Sequence, residues 1–471
     1  METIPQSQVI KRIQTENVWW NAPHQITDLY YRFGRRSYFD LLLPLIKEVS
    51  VKRAVLLMGP RRVGKTVLIH HVIQRLIDDG VDPRQICYIS VDHPIYNGLS
   101  LEAFLELFSQ AAGVGLTGRQ LFVFFDEIQY LKDWEIHLKS VVDTNPHIKV
   151  TASGSAAAAL RLKSRESGAG RFTDFLLPPL TFYEYLNLLG KNDLVETGAS
   201  DRSFGAPDIT ALNNAFVHYL NFGGYPEVIF SETIQADPAR FVKADIIDKV
   251  LLRDLPGLYG IQDIQELNYL FTTLAFNTAN EVSLDELSRN SGVAKNTIRR
   301  YIEYLEAAFL VRILHRVDRT AKRFRRANFF KIYLTNPSMR SALFSPITQD
   351  DEFVGPLAET GILSQWFHSD ESLNYARWKN GEVDIVSFDK RQRICWAVEV
   401  KWSDRFVHHP LELKGVIRFC HTNNLDKVVI TSRSASARKV VEGILMEFVP
   451  AGLHCYTIGR NLIEGRGLTS L

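Results

Sequence analysis

One stretch of eight residues constrains this chain more than any other: Gly59-Pro60-Arg61-Arg62-Val63-Gly64-Lys65-Thr66. It matches G-x-x-x-x-G-K-[ST] in full, in the setting that the pattern requires. An apolar run, RAVLLM at 53–58, precedes it. A helical pattern, TVLIHHVIQRLIDDG, follows and stops at Gly80. Such a loop joins a buried strand to a helix N-terminus, and its backbone N–H groups close around phosphate oxygens. Gly59, Pro60, Arg61, Arg62, Val63 and Gly64 would form the cradle. Lys65 would reach the β- and γ-phosphates, and the Thr66 hydroxyl would ligate Mg²⁺. ATP and Mg²⁺ are therefore the expected cofactors, and an α/β core is the expected fold.

Three more apolar runs follow: ICYISV (86–91), LFVFF (121–125) and HIKVTASGS (147–155). Strands alternating with helices predict a parallel sheet covered on both faces. LFVFF runs directly into Asp126 and Glu127. A carboxylate at the end of that strand suits Mg²⁺ binding, and Glu127 would orient and deprotonate an attacking water. An Asp-Glu pair points to hydrolysis rather than to binding alone. Arg171, in a glycine-rich turn before another apolar strand, is a candidate arginine finger for a neighbouring subunit.

The strand IKVTASGS resembles the sensor strand of AAA-type ATPases, where a polar side chain contacts the γ-phosphate or the lytic water; Ser153 and Ser155 are the candidates. The wider set of motifs resembles a large prokaryotic family of AAA-like ATPases. Its members carry a D-E-[IV]-Q segment (Asp126-Glu127-Ile128-Gln129), a G-R-F segment (Gly170-Arg171-Phe172) and P-L-[ST]-F-x-E-[FY] (Pro179 to Tyr185). They then show G-G-[FY]-P-E, here Gly223-Gly224-Tyr225-Pro226-Glu227. The resemblance spans about residues 30 to 255 and implies ATP hydrolysis in a homo-oligomer, with a hexamer among the options.

With 471 residues the chain is too long for one core. Four domains are expected: an N-terminal segment and ATPase core (1–189), a helical lid (190–270), a winged helix-turn-helix (271–339) and a C-terminal α/β domain (340–471). A formal net charge of +2 leaves any case for nucleic acid to local clusters. The four cysteines are scattered without metal-ligand spacing, which fits a reducing compartment. The polar N-terminus has no signal-like apolar region, and no apolar run has the length of a membrane span. A cytoplasmic protein without a membrane partner is the expectation.

EVSLDELSRNSGVAKNTIRRYIEYLEAAFL (281–310) reads as helix-turn-helix. Ser283 and Glu286 form a capping box, and Gly292 makes the turn. Ile298, Tyr301, Ile302 and Leu305 share one face of the second helix, leaving Lys295, Asn296, Arg299 and Arg300 on the other for DNA contact. VRILHRV suggests a wing. The basic stretch after it holds Arg316, Arg319, Lys322, Arg323, Arg325, Arg326 and Lys331, interleaved with Phe324, Phe329 and Phe330. It reads as a phosphate-contacting surface, with Arg323, Arg325 and Arg326 at its centre.

The last segment sets charges inside apolar strands. A helix in DEFVGPLAETGILSQWFH carries Glu359, and a hairpin turns at Asn380-Gly381 before Asp384. CWAVEVK then puts Glu399 and Lys401 on one side of a strand. Helix Glu, hairpin Asp and E-x-K together resemble the PD-(D/E)xK nuclease core, which is restriction-endonuclease-like, in its archaeal Holliday-junction-resolvase branch. The resemblance makes Glu359, Asp384 and Glu399 ligands of Mg²⁺ or Mn²⁺, Lys401 the catalytic lysine, and DNA, branched DNA included, the partner. Where that family has proline before the Asp, this chain has Val383. The favoured reading is ATP-driven action on DNA with metal-dependent cleavage. The alternative is a nucleotide-controlled switch whose last domains bind DNA or protein without cutting.

Overall fold

A computed structural model describes residues 5–155, 170–198, 204–322, 328–369 and 371–465. The chain divides into two compact units at Leu177/Pro178.

The first unit is built on five parallel strands: β1 (Ala54–Met58), β2 (Ile86–Ser90), β3 (Leu121–Asp126), β4 (Ile148–Gly154) and β5 (Phe172–Leu176), in the order β2-β3-β4-β1-β5. β1, β3 and β4 are buried along their whole length, as strands covered on both faces must be. The apolar runs of the sequence are therefore the strands. β4 lies between β1 and β3, pairing Leu57 with Ser153 and Phe125 with Ala152. The three strand ends that carry the phosphate loop, Asp126 and Ser153 thus sit side by side. Side chains satisfy the outer edge of β2: the Trp19 and Trp20 Nε1 groups donate to the Ile86 carbonyl at 3.2 and 2.8 Å, and Asn17 bonds Tyr88. Asn17 Nδ2 donates to the Tyr88 carbonyl at 2.8 Å, and its Oδ1 accepts from Tyr88 N–H at 2.6 Å.

In the second unit, a short ribbon of β6 (Glu196–Thr197) and β7 (Phe204–Gly205) precedes helices that include Ile209–Phe222 and Ile264–Phe276. Nine strands then form one sheet. They are β8 (Glu281–Ser283), β9 (Val311–Val317), β10 (Phe329–Leu334), β11 (Leu373–Trp378), β12 (Gly381–Phe388), β13 (Ile394–Glu399), β14 (Lys427–Ser432), β15 (Ala437–Val441) and β16 (Ile444–Pro450). Their order is β15-β16-β14-β13-β12-β11-β9-β10-β8. β9 pairs with β11 in parallel, so the strands following the two short helices at 284–307 and those of the C-terminal segment share a single sheet. One face is covered by helices Ile209–Phe222, Val354–Ser364 and Ala451–Ile463 together with the 178–189 segment, through Phe182, Phe216, Ile362, Ile385, Val398 and Ile458. Helix Lys414–Asn423 packs on the other face through Val416 and Phe419. Among the described residues no helix is long and apolar enough to cross a membrane.

The Gly223-Gly224 pair has a packing reason. A Cβ on Gly224 would stand 2.4 Å from Asn336 Oδ1 and 2.7 Å from Ser338 Oγ, both buried. Gly224→Ala is expected to destabilise the second unit by about 1–3 kcal/mol through overpacking. Gly257, with nothing within 4 Å of its Cβ position, should accept alanine without loss. Urea unfolding of the two variants checks the contrast.

Candidate nucleotide site and carboxylate cluster

The phosphate loop wraps from β1 to helix Lys65–Asp78. Gly64, at φ +91°, begins the helix, and Arg62 is also left-handed at φ +63°. Gly59 admits no side chain, since its Cβ would stand 2.2 Å from the Leu177 carbonyl oxygen. Lys65 Nζ donates to the Gly59 and Pro60 carbonyls at 3.1 and 2.8 Å, spanning the loop it serves. Burial pulls its pKa below the usual lysine value, against Glu127 and Asp126, which pull it up. Buried Arg36 fixes the loop from outside, donating to the Val63 carbonyl at 2.7 Å.

Asp126 ends β3 and gathers three hydroxyls. Thr66 Oγ1 and Tyr88 Oη donate to its Oδ2 at 2.7 and 2.8 Å, and Ser153 Oγ donates to its Oδ1. Glu127 takes a left-handed backbone, φ +56°, rare for a residue with a side chain. That turn frees it from the strand. Its carboxylate accepts from Gln129 Nε2 and, at 3.2 Å, from Ser155 Oγ. His70 Nδ1 lies 2.8 Å from the Thr66 carbonyl oxygen, and its ring packs against Tyr30 and Tyr88. Burial lowers its pKa to about 4, so it is neutral at pH 7.

The structure therefore brings Lys65, Thr66, Asp126 and Ser153 together, with Glu127 and Ser155 beside them. Thr66 and Asp126 in hydrogen-bond contact beneath a buried lysine suit a Mg²⁺-nucleotide. The phosphates would lie on the loop, and the ion would offset their charge. The sequence does not single out Tyr88, His70 and Arg36, and it offers Gln129 only as part of the D-E-[IV]-Q segment. For Tyr88 the signal was present: a hydroxyl inside an otherwise apolar strand needs a partner. Arg171 stands at the start of β5, 39% exposed, and its Nε donates to Asp143 Oδ1 at 2.9 Å.

Lys295, Asn296, Arg299 and Arg300 are exposed on helix Lys295–Ala307, while Ile298, Tyr301, Ile302 and Leu305 face inward. Lys295 pairs with Asp285. Arg323, Arg325 and Arg326 lie outside the described residues.

Glu359, Asp384, Glu399 and Lys401 converge in the second sheet, but with a residue that corrects the sequence reading. Lys331, expected on a basic surface, is 3% exposed on β10. Its Nζ lies 2.9 Å from Glu359 Oε1, 2.9 Å from Asp384 Oδ1 and 2.7 Å from Glu382 Oε1. Tyr333 Oη also donates to Glu359 Oε1, at 2.6 Å. Asp384 Oδ2 accepts from Val400 N–H at 2.9 Å and stands 3.6 Å from Lys401 Nζ. Lys401 donates to Glu399 Oε1 at 2.6 Å, and buried Glu399 Oε2 has no hydrogen-bond partner. Burial, then the charge of Asp384, pushes the pKa of Glu359 and Glu399 up. Burial would raise Asp384 too, but Lys331 and Lys401 more than reverse it and hold it below the carboxylate range.

Carboxylate oxygens are the right chemistry for a divalent cation. The arrangement is not, because an ammonium group already lies between Glu359 and Asp384. Among the described residues no group of three or more His, Cys, Asp or Glu side chains is disposed to hold a metal ion. The reading of Lys331 as surface came from its neighbours. FFKIYL is itself a strand pattern, and a lysine at its centre posed the same question as Glu399 and Lys401.

The five-stranded parallel sheet of the first unit, with its phosphate loop, is consistent with an AAA-like P-loop ATPase core. Residues 51–186 match a family model described as an AAA domain, and residues 213–351 match one described as a domain of unknown function. An uncharacterized protein of Methanocaldococcus jannaschii is 23% identical over 421 residues, covering 86% of this chain and 89% of its own. One from Haemophilus influenzae is 23% identical over 318 residues, covering 66% and 73%. Among solved structures, the Walker-type ATPase of Pyrococcus abyssi is 15% identical with TM-score 0.36, over 69% of this chain and 99% of its own. Saccharomyces cerevisiae Hsp104 bound to casein is 16% identical with TM-score 0.29, over 56% and 49%.

Lys65→Ala, which removes the phosphate clamp, should abolish binding of a fluorescent ATP analogue. Glu127→Gln should bind normally and turn over roughly 10²–10⁴-fold more slowly, as expected for loss of a general base. Phosphate-release assays on both variants check this, and equal turnover in Glu127→Gln and wild type contradicts the role.

Proposed function

We propose that this protein hydrolyses ATP in its first unit and acts on DNA through its second, with phosphodiester cleavage at the carboxylate cluster. The observation that carries the DNA half is the convergence of Glu359, Asp384, Glu399 and Lys401 from a helix, a hairpin and the next strand. That is the element order of the PD-(D/E)xK core. In this reading the exposed Lys295, Asn296, Arg299 and Arg300 belong to a winged helix-turn-helix that contacts DNA. Arg323, Arg325 and Arg326 add phosphate contacts, and Lys401 stabilises charge growing on the scissile phosphate. Glu127 is the base for ATP hydrolysis. Arg171 serves a neighbouring subunit of a homo-oligomer, exchanging its contact with Asp143 for a γ-phosphate.

A second reading, a nucleotide-controlled switch without cleavage, is favoured by one observation: the Lys331 ammonium group occupies the space between Glu359 and Asp384.

The test is purified protein on branched and linear DNA, with ATP and with Mg²⁺ or Mn²⁺ varied separately. Lys401→Ala should lower cleavage about 10²-fold or more and leave ATP turnover nearly unchanged. If wild type cuts neither DNA with any divalent ion, cleavage falls and the switch reading replaces it. DNA binding should weaken steeply with salt, and Arg299→Ala should reduce the slope of log K against log salt by about one. A slope unchanged in that variant argues against the recognition helix.

Subunit mixing tests assembly. Arg171→Ala and Lys65→Ala proteins, each inactive alone, should regain some ATP hydrolysis when combined. A wild type that is monomeric at full activity rules out the finger.

A further inference from the structure

Helix Lys414–Asn423 lies on the second sheet with its apolar side inward, through Val416, Ile417, Phe419 and Cys420. At 3.6 residues per turn the opposite side carries Lys414, Arg418, His421 and Thr422. Lys414, Arg418 and His421 are exposed, and Thr422 is half-buried. The helix holds no acidic residue. Among the described residues Lys414 and Arg418 form no ion pair, while His421 Nε2 stands 3.7 Å from Glu442.

Packing extends this basic face at both ends of the helix. At the first end, a Cβ on Gly415 would stand 3.4 Å from Gly381 Cα, so the β11–β12 hairpin and its exposed tip residue Lys379 lie alongside. The Trp378 ring stacks on Phe419 with centroids 6.0 Å apart, which fixes the hairpin to the helix. At the other end, Asn423 Nδ2 donates to the Arg319 carbonyl at 2.9 Å and brings in the turn that exposes Arg319. The acids beside these segments are engaged. Glu412 pairs with Arg405, Glu382 with Lys331, and Asp318 accepts from the backbone N–H groups of Thr320 and Lys322.

The outward side of the helix offers no apolar or aromatic anchor of the kind that carries the binding energy of a protein interface. Cations one helical turn apart on a packed, rigid element suit a phosphate backbone, which asks for charge at a steady spacing and for little else. We propose that Lys379, Lys414, Arg418 and Arg319 form a track for the DNA backbone, a second contact beside the exposed face of helix Lys295–Ala307. This rests on the reading that the protein acts on DNA, and it gives the C-terminal segment a sequence-independent, positioning part in that action.

The experiment titrates the full chain into a fluorescently labelled DNA duplex, read by anisotropy over a series of salt concentrations. The double variant Lys414→Ala/Arg418→Ala should lower the slope of log K against log salt by about two. It should weaken binding on the order of tenfold or more near 0.1 M salt, equally on duplexes of unrelated sequence. Lys191→Ala removes an exposed charge from the segment that follows the helix on the other face of the sheet, and should leave the slope unchanged. A slope unchanged in the double variant, with duplex still bound, overturns the track and leaves the DNA reading standing. No duplex binding by wild type at any salt removes that reading and the track with it. An equal loss in Lys191→Ala overturns the track by showing net charge alone. Polyglutamate held as tightly as duplex, and released by the same double variant, overturns it in favour of an acidic protein partner.

Discussion

A lysine ammonium group buried to 3% exposure keeps its charge only if carboxylates surround it closely. Lys331 meets that condition, and the second unit is arranged around the requirement. Glu359 must come from a buried helix, Asp384 and Glu382 from β12, and Lys331 from β10, three strands away in the sheet. Removing one partner from such a group costs roughly 3–5 kcal/mol, because the others are left charged and unpaired. The ion cluster therefore ties the strands following the 284–307 helices to the C-terminal segment. It does so across the β9–β11 pairing that makes the two segments one sheet.

The nucleotide site solves a similar problem with one charge rather than many. Asp126 is buried at the end of β3 and is held by hydroxyls from Thr66, Tyr88 and Ser153. Each hydroxyl comes from a different element. Their meeting follows from the order β2-β3-β4-β1, which sets β4 between the loop strand and the Asp126 strand. The N–H of Glu127 donates into that web, to Asp126 Oδ1 and Ser153 Oγ, but its carboxylate lies on Gln129 and Ser155, so two adjacent carboxylates face different partners. Two adjacent acids with different surroundings can take different chemical parts, one near an ion and one near a water.

Much of the first unit was legible. Its strands are continuous apolar runs, a pattern that buried parallel strands share, and its loop is a local motif whose spacing is fixed by the phosphates it must enclose. In the second unit the helix-turn-helix pattern placed Ser283, Gly292 and the inward face of helix Lys295–Ala307 correctly. The burial of Lys331 is masked by the basic residues around it in the sequence. Arg residues nearby suggested a surface, although FFKIYL has the β-branched and aromatic content of a buried strand. Asn17 gave no signal, since an asparagine that completes a strand edge looks like any loop asparagine.

The sequence by itself determined which segments are strands and helices, where phosphate can be bound, and which acids sit in apolar surroundings. These are local properties, set by periodicity and by motifs a few residues long. Tertiary structure decided which charges meet. Lys331 and Asp384 are 53 residues apart, and Tyr88 and Asp126 are 38 apart. Nothing in the spacing of such residues fixes their contact. Strand order does, because it alone sets which strand ends become neighbours and which buried cation finds which carboxylate.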